Sequence, residues 1–257
     1  MMAELQSKCT ELLGFSIYAG TLHELTVAIS DPVGLASERP VTVACLNPHS
    51  YVVAKSDSDF FNALKNMSVL LADGIGLTIA YKMIYGSSGV TRITGTDFFE
   101  EIMKIADAEG LSVAFLGSSE ATLIRISERV RREYAGAKHV GNLSPPFCDE
   151  FLPGDVENIQ TWVRQTAPDI LWVGLTAPKQ EKFVYQFLQN SPVRVIGCIG
   201  AVFDFYAQTI KRPAPLFRFF GLEWLVRLLR EPKRLWRRSM VSGPRFLLDV
   251  VKEMVSK

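Results

Sequence analysis

The sequence lacks any run approaching the ~18 uninterrupted apolar residues of a membrane span, so no transmembrane helix is expected. It also lacks a signal-peptide pattern: MMAELQSKCTELLGF carries charges where an apolar stretch would be required. Cysteine is sparse and scattered (Cys9, Cys45, Cys148, Cys198), with no CxxC pair. The three histidines (His23, His49, His139) share no ligand spacing. Together these absences argue against zinc and for reduced thiols, hence a cytoplasmic protein with no metal or other cofactor. There is no GxGxxG with an acid ~20 residues beyond it, which counts against an NAD-dependent enzyme. No internal repeat or low-complexity linker interrupts the chain.

What is present is the profile of a globular protein, 257 residues with 48% hydrophobic and 21% charged. Short apolar runs alternate with longer amphipathic stretches, the pattern of strands and crossover helices around a parallel sheet. The runs predict strands over Val41–Leu46, Val69–Ala72, Ser112–Gly117, His139–Leu143, Ile170–Leu175 and Val193–Cys198. Helices are predicted over Tyr51–Lys65, Gly76–Tyr85, Thr96–Glu109, Ser119–Tyr134, Asp155–Gln165 and Pro178–Gln189. The fold class is therefore α/β: a Rossmann-like parallel sheet flanked by helices over residues 1–209. Residues 210–257 read as a separate, proline-punctuated helical appendage.

The overall charge is +1, but its distribution is uneven. From Lys211 to Arg245 ten basic residues face only Glu223 and Glu231, a local +8 that leaves −7 for the rest of the chain. Such asymmetry indicates either an anionic partner or a solvated basic surface. The tryptophans and leucines interleaved with arginine favour a membrane interface over nucleic acid.

In an open parallel sheet, ligands bind outside the carboxyl ends of the strands, and several polar residues fall there. In LADGIG (Leu71–Gly76), Asp73 follows a strand and precedes glycines, as a catalytic acid or as a helix cap. In LGSS (Leu116–Ser119), Gly117 opens a helix, as a phosphate site or as a plain turn. TAPKQE (Thr176–Glu181) sets Lys179 and Gln180 in a first helical turn, where a lysine opposes the helix dipole unless an anion is near. In CIGAVFDF (Cys198–Phe205), Asp204 stands among apolar neighbours and needs a partner or a ligand. DSD (Asp57–Asp59) imitates a metal-binding DxD but reads as a cap and first-turn acids of a helix.

Taken together, LNPHS, LADGIG, TRITGTD, FLGSS, GLTAPKQE, GCIGAVFDFYA and KRPAPLFRFFGLEWLVRLLREPKR resemble the WecG/TagA/CpsF family, family 26 of the glycosyltransferases, from about Thr42 to Trp236. The resemblance implies a metal-independent, inverting enzyme. It would move a sugar of N-acetylmannosamine, N-acetylmannosaminuronic acid or glucose type from UDP to a polyprenyl-diphosphate-linked acceptor in bacterial surface polysaccharide synthesis. It assigns Asp73 as general base with Asn47 beside the reacting centre. It places Arg92, Gln180 and Asp204 in the nucleotide-sugar pocket, to which strand-end reasoning adds Gly117, Lys179 and Gly200. It makes Arg212, Arg227, Arg230 and Arg234 the basic set of the appendage. Two departures stand out: Cys45 replaces a threonine found in some members, and Gly200-Ala201 replaces Gly-Gly.

The chemistry is consistent with that implication. An acceptor hydroxyl needs an aligned base, and departing UDP needs positive or N–H stabilisation. The expected partners are a UDP-sugar, the lipid-linked acceptor and the anionic inner face of the cell membrane, with no nucleic acid; a homo-oligomer is left open. The rival readings are a catalytically altered nucleotide-binding protein of the membrane surface and an NAD-dependent Rossmann enzyme.

Overall fold

The computed structural model describes residues 2–30, 39–210, 223–230, 232, 236 and 240–256. Six parallel strands form the sheet: β3 (Val41–Leu46), β4 (Val69–Ala72), β5 (Ser112–Gly117), β6 (Lys138–Leu143), β7 (Ile170–Gly174) and β8 (Val195–Cys198). Their spatial order is β4-β3-β8-β7-β5-β6. The chain thus builds the β3–β4 side, crosses to β5–β6, then returns through β7 and β8 to the centre. β8 pairs with β3 on one side and β7 on the other.

All the strands but β6 are nearly continuous apolar runs because both faces are covered. Val43, Val113, Phe115 and Trp172 point into one core with Leu25, Phe98, Ile102 and Phe203. Their neighbours Ala44, Ala114, Leu116 and Leu171 point into the other with Phe15, Phe60, Val163 and Phe246. Period-two alternation along each strand therefore feeds two cores rather than one core and solvent. This is the expected α/β, Rossmann-like arrangement.

Six predicted strands are present, with the starts of β6 and β8 and the end of β7 displaced by one or two residues. Two predicted helices divide. Tyr51–Lys65 is α3 (Pro48–Ala54) and α4 (Ser58–Lys65), because Asp57 turns extended and its carboxylate accepts the Phe60 N–H at 2.9 Å. Asp57 is thus a helix N-cap, and it also pairs with Lys182 at 2.5 Å. Pro178–Gln189 is α9 (Lys179–Phe183) followed by a π-helical turn, Val184–Leu188. The remaining helices are α5 (Ile75–Tyr85), α6 (Gly95–Glu109), α7 (Glu120–Glu133), α8 (Pro153–Thr166) and α10 (Val202–Tyr206).

The N-terminal residues carry elements that strand-helix alternation did not reveal. A helix α1 (Met2–Ser7), a hairpin of β1 (Cys9–Leu12) with β2 (Phe15–Tyr18), and α2 (Leu22–Ser30) precede the sheet. The hairpin's Leu12, Phe15 and Ile17 are fully buried against the second core.

The C-terminal helix Ser242–Ser256 packs against α3 and α5. Phe246 meets the Tyr51 ring edge-on at 5.4 Å, and Asp249 pairs with Lys55 at 2.7 Å. The last part of residues 210–257 is therefore seated on the sheet domain. Arg212 and Arg234 lie outside the described residues, as do the side chains of Arg227 and Arg230, which belong to helix Glu223–Arg230. Among the described residues, no helix is long and apolar enough to cross a membrane.

Candidate active site at the carboxyl edge of the sheet

Leu46 and Ala72 are opposite each other in the β3–β4 ladder. The Asp73 N–H donates to the Leu46 carbonyl at 2.8 Å, and the Ile93 N–H donates to the Ala72 carbonyl at 3.1 Å. These two bonds bring Asn47, Asp73 and Arg92 to one point of the edge, although the first and the last are 45 positions apart in the chain. Asp73 and Arg92 are both half-buried. Gly74, at φ +89°, turns the chain from β4 into α5, a conformation that a side chain would resist.

Asn47 has a structural duty. Its side-chain oxygen accepts the N–H groups of His49 (3.0 Å) and Ser50 (3.1 Å), capping α3. The capping bonds leave its Nδ2 end as the one a ligand would meet. His49 is turned toward the C-terminal helix, with Nδ1 2.9 Å from the Ser242 hydroxyl.

A second group forms where β5, β7 and β8 end. Gly117 and Gly174 are in register. A Cβ on Gly117, whose φ is +114°, would come within 2.5 Å of the Gly174 carbonyl oxygen. A Cβ on Gly174 would meet the Phe203 ring at 2.6 Å. Both glycines are thus required by close packing of the strand ends. Ser118 and Thr176 adopt positive φ (60° and 68°) in the same turns. Gly200, at φ +48°, faces the Gln180 amide: a Cβ there would lie 3.4 Å from Oε1 and 3.5 Å from Nε2.

Lys179 is held by protein groups. Its ammonium donates to the Cys148 carbonyl at 2.6 Å and sits 3.5 Å from the centre of the Phe151 ring. Asp204 is partly exposed, as is Phe205, while Phe203 and Tyr206 of the same helix point into the core. The Thr209 hydroxyl donates to its carbonyl oxygen at 3.1 Å. The same hydroxyl lies 3.4 Å from Asp204 Oδ1, so the partner that an acid among apolar neighbours needs is supplied here by a protein side chain.

The buried acid is instead Glu181. It is 2% exposed and adjoins Gln180, which is 4% exposed. Gln180 Nε2 donates to Glu181 Oε1 at 2.8 Å, while Gln180 Oε1 and Glu181 Oε2 have no hydrogen-bond partner. Burial pushes the Glu181 carboxyl up to about 7, against the opposing effect of the Gln180 hydrogen bond. An acid in this position is legible after the fact: Glu181, Val184 and Leu188 recur at spacings of three and four on the buried stripe of the helix.

Cys45 links the two groups. Its thiol is raised well above the usual range, first by burial and then by the charges of Asp73, Glu181 and Asp97. Asp97, which the strand-end rule did not select, also closes a capping box with Thr94 at the start of α6. The edge thus gathers three carboxyls, two amides and an arginine. Among the described residues no three histidine, cysteine or acidic side chains form a metal-ligating group.

A doubly covered parallel sheet with polar side chains collected at its carboxyl edge is the arrangement of an α/β enzyme. Residues 10–257 match the Glycosyl transferase WecG/TagA/CpsF family, and the chain belongs to that family of glycosyltransferases. It is 28% identical over 240 residues to the N-acetylglucosaminyldiphosphoundecaprenol N-acetyl-beta-D-mannosaminyltransferase of Bacillus spizizenii (strain ATCC 23059 / NRRL B-14472 / W23), covering 90% of both chains. It is 27% identical over 215 residues to the protein of the same name from Bacillus subtilis (strain 168), covering 84% of this chain and 80% of that relative.

Proposed function

We propose that this glycosyltransferase moves N-acetylmannosamine, or a closely related sugar, from a UDP-sugar to N-acetylglucosamine carried on a polyprenyl diphosphate, with inversion at the anomeric carbon. The observation that carries this reading is the convergence of Asn47, Asp73 and Arg92 on one strand edge, within a chain aligned over nine-tenths of its length with a relative named for that transfer.

Asp73 is the base of this scheme. The acceptor hydroxyl gives its proton to the Asp73 carboxylate as its oxygen bonds to the anomeric carbon. The bond from that carbon to the UDP oxygen breaks on the opposite face, and the electron pair leaves with UDP. Arg92, one residue before the Ile93–Ala72 bond at that edge, takes up the developing charge. Gln180 and the glycine turns at 117 and 200 line the donor side, where a backbone without side chains admits a diphosphate closely. Arg212, Arg227, Arg230 and Arg234 clamp the acceptor's own diphosphate.

The same basic segment brings the enzyme to the anionic inner face of the cell membrane, where each arginine or lysine contributes ~1 kcal/mol. Radiolabelled UDP-sugars offered with a short-chain lipid-diphosphate N-acetylglucosamine test the reading. Label should enter the lipid product from UDP-N-acetylmannosamine. Transfer from a non-UDP donor only, or no transfer from any donor, overturns it.

A further inference from the structure

Two adjoining helices carry apolar residues on their outward sides, where a solvent-facing helix is ordinarily polar. On α5, Ile75, Ile79 and Met83 recur at spacings of four and all are exposed, Ile79 at 45%. The C-terminal helix Ser242–Ser256 lies against α5 and α3 and buries Phe246 and Val250 in the second core. With about 3.6 residues per turn, Leu248, Val251 and Val255 fall on the opposite side of that helix. Leu248 is 61% exposed and Val255 78%. Single exposed apolar residues are ordinary, but two aligned stripes on neighbouring helices mark a surface that meets something apolar.

The charges around the stripes say what that partner is. α5 contains no acid. The acids of the C-terminal helix are turned inward: Asp249 pairs with Lys55 of α3 at 2.7 Å and accepts the Tyr51 hydroxyl at 3.3 Å, and Glu253 is half-buried. Exposed cations border the stripes instead, Lys82 on α5 with Arg245 and Lys252 on the C-terminal helix. Lys252 lies 3.8 Å from Asp249. An apolar surface with a basic rim matches a bilayer, whose hydrocarbon meets the stripes and whose anionic headgroups meet the rim. A second copy matches less well, because a two-fold interface would set one basic rim against the other.

We propose that α5 and the C-terminal helix form a membrane-docking face, whose apolar stripes enter the headgroup–acyl boundary of an anionic bilayer. The inference rests on the lipid-linked acceptor reading and adds to it a hydrocarbon contact made by the sheet domain itself, apart from the charge of the basic segment. α5 begins two residues after Asp73. Docking along this helix therefore sets the proposed base beside the headgroup layer, where the acceptor's diphosphate lies. The sugar on that diphosphate then reaches the carboxyl edge without the polyprenyl chain leaving the bilayer.

The test uses the full chain and vesicles of phosphatidylcholine with phosphatidylglycerol. The triple variant Ile79→Ser, Leu248→Ser, Val255→Ser changes only exposed positions, so its Tm should stay near that of the natural protein. Its vesicle affinity should fall about tenfold or more. High salt screens the basic segment, and should release the triple variant while leaving the natural protein partly bound. Transfer to an acceptor embedded in vesicles should drop in the variant, with transfer to a soluble short-chain acceptor retained. Orientation is read from tryptophan placed at Leu248 or at Ile124, an exposed residue of α7 on the opposite face of the sheet. Brominated acyl chains should quench the emission added by Leu248→Trp and spare that added by Ile124→Trp. Unchanged vesicle affinity in the triple variant, or equal quenching at the two positions, overturns the proposal. A lipid-free dimer that the three serines dissociate, with vesicle binding intact, assigns the face to a second copy and overturns it too. Failure to glycosylate either acceptor overturns the lipid-linked acceptor reading, while affinity and quenching still decide the docking face.

Discussion

The main-chain N–H of Asp73 donates to the carbonyl of Leu46 at 2.8 Å, adding one rung to the β3–β4 ladder beyond the last paired residues. Asn47 and Asp73 therefore leave the sheet side by side, and Asp73, the proposed base, is set by main-chain geometry rather than by a mobile loop. Its surroundings follow from packing, which makes several consequences measurable.

The glycine turns should be intolerant of any side chain. Gly117→Ala places a Cβ against the Gly174 carbonyl at a positive φ. A left-handed conformation alone costs a non-glycine residue roughly 1–2 kcal/mol, and the clash adds to it. Thermal unfolding should show a clear drop in Tm for Gly117→Ala. Alanine at Gly154, where a Cβ meets nothing within 4 Å, should leave Tm near that of the natural protein.

UDP binding should not depend on a divalent metal. The DSD element that imitates a metal motif is engaged otherwise, since Asp57 caps α4 and pairs with Lys182. Calorimetry with and without EDTA should give the same affinity. Strict dependence on manganese or magnesium would contradict this.

Glu181 should leave a mark on stability. Its carboxyl is raised from 4.5 to about 7 in the fold, so between those values the unfolded chain releases a proton that the folded chain keeps. Stability should therefore fall as pH rises through that window, by on the order of 3 kcal/mol at most. Asp57, Asp169 and Asp249 are lowered and act in the opposite sense. Their stabilisation is present above the usual carboxylate range and fades only as pH falls below it. Denaturant titrations at pH 5 and pH 7.5 should show this decline in the natural protein and a smaller one in Glu181→Gln.

The appendage is best tested by point changes. Residues 242–256 contribute Phe246 and Val250 to the core, so truncation before Lys211 would strip the core as well as the basic segment. Loss of a buried aromatic residue costs about 3–5 kcal/mol on its own. Charge reversal at Arg227 and Arg230 avoids that damage. It should raise the acceptor KM more than the donor KM and weaken binding to anionic liposomes.

The architecture was largely legible because strands buried on both faces are written as unbroken apolar runs. Val69–Ala72 and Ser112–Gly117 are examples with matching limits. The hairpin at Cys9–Tyr18 was missed because its strands have four residues each and do not fit a strand-helix alternation. The break at Asp57 was missed because an apolar pattern spans α3 and α4 while one side chain ends the helix between them. Asp73 and Gly200 were reachable from the rule that ligands sit at strand ends. Glu181 was passed over because an acid beside Gln180 looks like surface until the helix stripe is drawn, and Asp97 because its capping role explains it locally.

The central claim is that Asp73 takes the acceptor's proton, and single-turnover transfer from UDP-N-acetylmannosamine to the lipid-linked acceptor tests it most directly. Asp73→Asn keeps the shape of the side chain and the main-chain bond to Leu46 while removing the base. Its transfer rate should fall by roughly 10²-fold or more, with UDP affinity by calorimetry close to that of the natural protein. Transfer by Asp73→Asn at nearly the natural rate would contradict the account.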